Sequence, residues 1–189
     1  MADVELALAE ANAKACTSCR LSASRTSVVF GSGDPTAAVM IIGEAPGSDE
    51  DRLGVPFVGR SGKLLDRLIE EELCLTRAEC YVANVVKCRP PENRNPLPDE
   101  VSMCRHFLLA QLASVQPDVV LSLGNFAMRA LLSTTSGITS MRGRTYAFEG
   151  AVLIPTFHPA AALRAGETIL AAMRADFRLA RTQLEPGIS

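Results

Sequence analysis

Residues 38–73 read AVMIIG, EAPGSDEDRLGVPFVGRSG, KLLDRLIEEEL. The first six residues are an uninterrupted apolar run stopped by a glycine. That is the pattern of a strand buried on both faces in a parallel sheet. The next nineteen, 44–62, carry so many Gly and Pro residues that they read as one long loop. Residues 63–73 return to helical spacing, with Leu64, Leu65, Leu68 and Ile69 on one side. A strand, a long loop and a helix in this order form one βα unit.

The same unit recurs along the chain. YVANVV (81–86) reads as a strand. KCRPPENRNPLP (87–98), with four prolines, is a loop, and Asp99 or a neighbour opens a helix to about Ser114. DVVLSLG (118–124) is a strand and NFAMRALLS (125–133) its helix. TSGITSMRGRTYAFEG (135–150) reads as a loop with a hairpin-like element, AVLIPTFHP (151–159) as a strand ending at a histidine, and 167–184 as a closing helix. Residues 3–15 form a short opening helix and 28–34 a short extended segment with a Gly-rich turn. About four such units predict a parallel sheet with helices on both faces. Ligands in that architecture sit at the carboxyl ends of the strands. Glu44, Asn84, Asn125 and His158 all fall there. No linker or internal repeat divides residues 1–189, so a single domain is expected, with a frayed tail from about 185.

The chain has 189 residues, 48% hydrophobic and 5% aromatic, with a formal charge of -2. Global charge therefore does not mark a nucleic-acid binder. Residues 87–144 are locally positive through Lys87, Arg89, Arg94, Arg105, Arg129, Arg142 and Arg144, and could meet a phosphate backbone, although a mixed solvated surface is the simpler reading of charge alone. No stretch approaches a membrane span. The first residues are acidic where a secretion signal is basic. A cytoplasmic, monomeric protein is expected.

Six cysteines in such a chain read as metal ligands or buried thiols rather than a disulfide framework. Cys16 and Cys19 form a CxxC, and Cys88 and Cys104 flank the proline-rich loop. Four thiolates from two directions suit zinc and an iron–sulfur cluster equally, with a disulfide as a lesser alternative. Cys74 and Cys80 read as small buried hydrophobes.

GEAPGSDEDRLGVPFVGRSG (43–62), NVVKCRPPENRNP (84–96) and FHPAAALR (157–164), in that order and with the four cysteines, resemble the type-4 uracil-DNA glycosylases. The resemblance runs from Cys16 to the last helix. It implies an α/β fold of three layers, α/β/α, around a central four-stranded parallel sheet. It also implies release of free uracil from single- or double-stranded uracil-containing DNA, the backbone left intact, as in base-excision DNA repair. A 4Fe–4S cluster on Cys16, Cys19, Cys88 and Cys104 belongs to the same implication. Matched motif by motif, Glu44 is the acidic residue after the first strand, Phe57 the ring that stacks on uracil, Asn84 the uracil-reading amide and His158 the histidine of the last motif.

Three positions depart from the family pattern: Ser61 stands for a common Ala, Ala160 for a Ser, and Ala162 for a Leu that would wedge the DNA stack. Leu163 and Arg164 are the substitutes for that wedge. A covalently trapping relative differs at two places. It has Gln where this chain has Ala45, and a histidine-bearing basic insertion that residues 89–103 lack.

The chemistry of a flipped base gives these residues their work. Asn84 can donate to uracil O4 and accept from N3–H, a pattern cytosine reverses. His158 can donate to O2 as charge gathers there. Glu44 can orient water or stabilise a cationic sugar. Gly43, Ala45 and Gly47 let a nucleotide approach the backbone, and Gly47 leaves space where a larger side chain would exclude a 5-methyl group. The residues Arg60 and Ser61 at a helix start, with Arg142 and Arg144, are candidate DNA contacts. Two other readings compete. A nucleotide or phosphate hydrolase lacks its GxGxxG or GxxxxGK[ST] loop here. A non-catalytic nucleic-acid-binding module with a structural metal would bind without releasing a base.

Overall fold

A computed structural model describes residues 2–184, with the side chains of residues 2 and 3 left aside. The tail expected to fray, 185–189, lies outside the described residues. Six strands form one sheet: β1 (Ser32–Gly33), β2 (Val39–Gly43), β3 (Cys80–Asn84), β4 (Val119–Leu123), β5 (Tyr146–Phe148) and β6 (Ala151–Thr156), in the order β1-β3-β2-β4-β6-β5. The inner four, β3-β2-β4-β6, are parallel. Each edge carries one short antiparallel strand, β1 on β3 and β5 on β6. The expected four-stranded parallel sheet is thus the centre of a larger one.

Every residue of β2, β3 and β4 is buried. Their side chains alternate between two cores because strand periodicity is two. Val39, Ile41, Val82, Leu121 and Ile154 face one layer with Leu65, Leu68, Met173 and Phe177. Met40, Ile42, Ala83, Val120 and Leu153 face the other with Leu108, Leu112 and Ala127. The first layer is α3 (Arg60–Leu68), whose π-helical continuation is Ile69–Leu73, together with α7 (Pro159–Ala165) and α8 (Glu167–Leu184). The second is α4 (Pro98–Val115) and α5 (Gly124–Leu132), with α1 (Ala2–Ala15) laid on α4. Two short helices, α2 (Ser48–Leu53) and α6 (Ile138–Met141), sit in loops. Among the described residues no helix is long and apolar enough to cross a membrane.

The segment expected to be a long loop departs most from its composition. It holds α2, and α3 begins at Arg60 rather than Lys63, because Gly59 takes the extended N-cap conformation there. Residues 98–115 begin with Pro98, whose missing N–H costs nothing in a first turn. Cys80 is buried as expected, but Cys74 is exposed in a left-handed turn at the end of the π-helical segment. That turn ends the helix and carries the thiol outward.

β2 lies between β3 and β4, so the chain leaves it first to one side and then crosses to the other. The carboxyl end of β2 is therefore a topological switch point, where a crevice opens between diverging connections.

Candidate functional site

An open cleft of about 670 Å³ occupies that crevice. Its wall is drawn from four strand ends. Glu44, Ala45, Gly47 and Phe57 follow β2, Asn84 ends β3, Gly124 and Asn125 follow β4, and Phe157 and His158 follow β6. Asn93, Asn95, Ser61 and Arg164 also line the cleft.

Strand register sets the first contact. Gly43 and Asn84 are paired neighbours at the ends of β2 and β3. A Cβ on Gly43 would stand 2.5 Å from Asn84 Oδ1 and 2.6 Å from Phe57 Cζ. Only a residue without a side chain lets the amide and the ring share this corner. Phe57 is left-handed at φ 54° and 7% exposed. Its turn presses on α3 so closely that a Cβ on Gly62 would fall 1.8 Å from the Phe57 carbonyl oxygen. Arg77 holds the same turn, donating to the carbonyls of Pro56 and Phe57 while paired with Asp66 at 2.8 Å. Composition gave no sign of Arg77, which lies 20 residues away in sequence.

The Phe57 and His158 rings lie with centroids 5.7 Å apart and planes 30° apart. His158 is the N-cap of α7, and its Nδ1 accepts from the Ala160 N–H at 3.1 Å. This bond assigns the proton to Nε2, leaving a donor on the free edge of the ring. Burial, assisted by Arg164, pulls His158 down to about 4, so the imidazole is neutral at physiological pH. Gly124, at φ 87°, passes the ring's base so tightly that a Cβ there would lie 3.1 Å from His158 Cβ. Phe57, Asn84 and His158 thus surround one small space.

Asn84 is 2% exposed, and its Oδ1 has no hydrogen-bond partner among the described residues. A buried amide oxygen left unpaired is costly unless a ligand or water supplies a donor. Glu44 is half-buried at the mouth, and burial raises its carboxyl above the ordinary range.

The acidic run beside Glu44 is structural. Glu50 accepts from the N–H groups of Gly47, Val58 and Gly59 and so clamps both ends of the loop. Asp51, 4% exposed, accepts from Thr26 and Ser27. Asp49 is exposed beside Arg52.

Of the candidate DNA contacts, Arg60, Arg144, Leu163 and Arg164 are exposed, and Ser61 and Arg164 line the cleft. Arg142 is less exposed than those four and is paired within the fold. Its guanidinium donates to both carboxylate oxygens of Asp176, which is 0% exposed, and to the Ala172 carbonyl. It ties the segment before β5 to α8 through Nε and Nη2. Lys87 is 1% exposed and Arg94 is forked onto buried Glu100, so the positive middle of the chain is smaller than its composition suggests.

The cysteines require a correction. Cys16, Cys19, Cys88 and Cys104 border one small cavity. Yet among the described residues no group of three or more His, Cys, Asp or Glu side chains is placed to hold a metal ion. The expected 4Fe–4S cluster does not fit this arrangement, and neither does zinc. The thiols instead meet separate neighbours: Cys16 donates to Ser18 Oγ at 3.5 Å, Arg25 donates to Cys88 Sγ at 3.3 Å, and the Lys87 N–H donates to Cys104 Sγ at 3.3 Å. Burial pushes Cys104 up to about 11 and raises Cys88. All six cysteines are free, so the disulfide alternative fails as well.

Comparison with known proteins agrees with the fold and the motifs. Residues 30–183 match the Uracil DNA glycosylase superfamily. The type-4 uracil-DNA glycosylase of Thermotoga maritima is 45% identical over 80% of this chain and 79% of its own length. That of Sulfurisphaera tokodaii is 42% identical over 78% and 71%, and that of Saccharolobus solfataricus 39% over 89% and 82%. With this identity spread across most of both chains, the protein belongs to the type-4 uracil-DNA glycosylase family of the uracil DNA glycosylase superfamily.

Proposed function

We propose that the protein is a monofunctional glycosylase, contained in one domain, that hydrolyses the N-glycosidic bond of deoxyuridine in DNA, freeing uracil and leaving an abasic site. Membership of the family supports glycosylase chemistry in general. The observation that carries the specific reading is the unpaired Oδ1 of buried Asn84, facing a cleft whose other walls are the Phe57 and His158 rings.

In this reading the flipped base enters the space between those three residues. Asn84 Oδ1 accepts from uracil N3–H and its Nδ2 donates to O4. Cytosine offers an acceptor at N3 and a donor at C4, so both contacts turn repulsive. Phe57 stacks on the ring, worth roughly 1–3 kcal/mol per base. This helps to offset an extrusion that costs a few kcal/mol. As the glycosidic bond lengthens, negative charge collects on O2, and the Nε2–H of neutral His158 stabilises it. Glu44 in the same reading holds water or balances a cationic sugar. Arg60, Ser61, Arg144, Leu163 and Arg164 are the surface offered to the strand.

The test is incubation with single- and double-stranded uracil-containing oligonucleotides, followed by alkali. Strand scission at the uracil position supports the proposal. Binding to the same DNA without any abasic sites would instead favour a non-catalytic binding module.

A further inference from the structure

Beneath the cleft floor lies a buried polar cluster that the chemistry above does not use. Lys87, 1% exposed, sits three residues after Asn84. Its Nζ donates to the main-chain oxygen of Asn84 at 2.7 Å and to Oε1 of Gln111 on α4. Gln111 is 0% exposed, and its Nε2 donates to the Phe30 carbonyl at 2.7 Å and the Tyr81 hydroxyl at 3.2 Å. An apolar side chain of similar length would fill the same volume without burying an amine. The polar cluster therefore has a geometric job.

Strand pairing shows what that job is. β3 is flanked by β2 on one side and by β1 on the other, but β1 pairs only with Tyr81 and Val82. Val85 and Val86 still bond across to Gly43 and Glu44 on the β2 side. The Asn84 carbonyl lies past the end of β1, and Lys87 Nζ supplies the donor that a longer strand would have given.

We propose that Lys87, braced by Gln111, is a positioning residue for Asn84, fixing the backbone from which the base-reading amide projects. This rests on the role given to Asn84 above. The test is a double-mutant cycle on single-turnover uracil release, using wild type, Asn84→Ala, Lys87→Met and the double variant, with affinity for abasic-site DNA measured alongside. Lys87→Met should slow release on the order of 10- to 100-fold, as expected for a small misplacement of a contact group. In the Asn84→Ala background it should change the rate by less than about twofold, because the two act as one unit. Affinity for abasic-site DNA should stay at the wild-type value. An unchanged rate in Lys87→Met, an equal loss in both backgrounds, or a parallel loss of abasic-DNA affinity would overturn the positioning role. An unchanged rate in Asn84→Ala would strike the site reading itself, a different outcome. If Lys87→Met lacks a cooperative unfolding transition, Gln111→Met carries the same cycle with Lys87 in place and is judged by the same results.

Discussion

Asn84 and Gln111 are both amides withdrawn from water, at 2% and 0% exposure, and both touch Lys87. Gln111 is satisfied at each end, accepting from Lys87 and donating to Phe30 and Tyr81. Asn84 is held by its backbone, and its side-chain oxygen is left without a partner. One amide builds the interior. The other is aimed by that interior into a cleft. Among the described residues Ser122 Oγ and Thr156 Oγ1 are also buried without a hydrogen-bond partner, but Asn84 is the one of the three that lines the cleft.

The largest effect is expected at Asn84. Asn84→Ala should reduce single-turnover uracil release roughly 10³-fold, between the loss of one anion-stabilising donor and the rejection of a mispaired edge. Its unfolding midpoint in denaturant should stay close to wild type, because Oδ1 has no internal partner to lose. His158→Ala comes next. It should slow the chemical step on the order of 10²-fold while changing the affinity for abasic-site DNA little. The wild-type rate should show no titration near 6.5, the ordinary value for histidine, since His158 lies near 4.

Gln111→Met should differ from Asn84→Ala in stability, losing about 1–3 kcal/mol in chemical denaturation as Lys87 Nζ and the Tyr81 and Phe30 groups lose partners. If Asn84→Ala cost more stability than Gln111→Met, the contrast would be reversed.

The pH dependence adds a smaller effect. The folded pKa of His158 is depressed from 6.5 to about 4, so between those values the unfolded chain binds the extra proton. Stability should fall as pH drops through that window, and the slope should be shallower in His158→Ala. The smallest effect separates two arginines. Arg144→Ala should lower the slope of log affinity against log salt by about one. Arg142→Ala should leave that slope alone and lower the unfolding midpoint, because Arg142 is paired with buried Asp176.

Much of the scaffold was legible because it follows from periodicity. Apolar runs ended by breakers located β2, β3, β4 and β6, and the polar residues at their ends fell in one cleft. The conformation of 44–62 was not legible. Gly and Pro content suggests irregularity, whereas Gly59, Glu50 and Arg77 impose two helix starts and a fixed turn at Phe57. Charge was a poor guide for a related reason. Lys87 and Arg142 look like surface cations in sequence, and their acceptors, Gln111 and Asp176, lie 24 and 34 residues away. Cysteine spacing likewise gave the right neighbourhood but not the arrangement. Four thiols reach one cavity, and local hydrogen bonds with Ser18, Arg25 and the Lys87 N–H hold three of them, Cys16, Cys88 and Cys104.

The role of Asn84 is tested most directly by a crystal structure of the protein soaked with free uracil. The base should lie against the Phe57 ring, with N3–H directed at Asn84 Oδ1 and O2 within reach of His158 Nε2. Uracil bound elsewhere, or bound in the cleft with Asn84 Oδ1 still unpaired, would contradict the account.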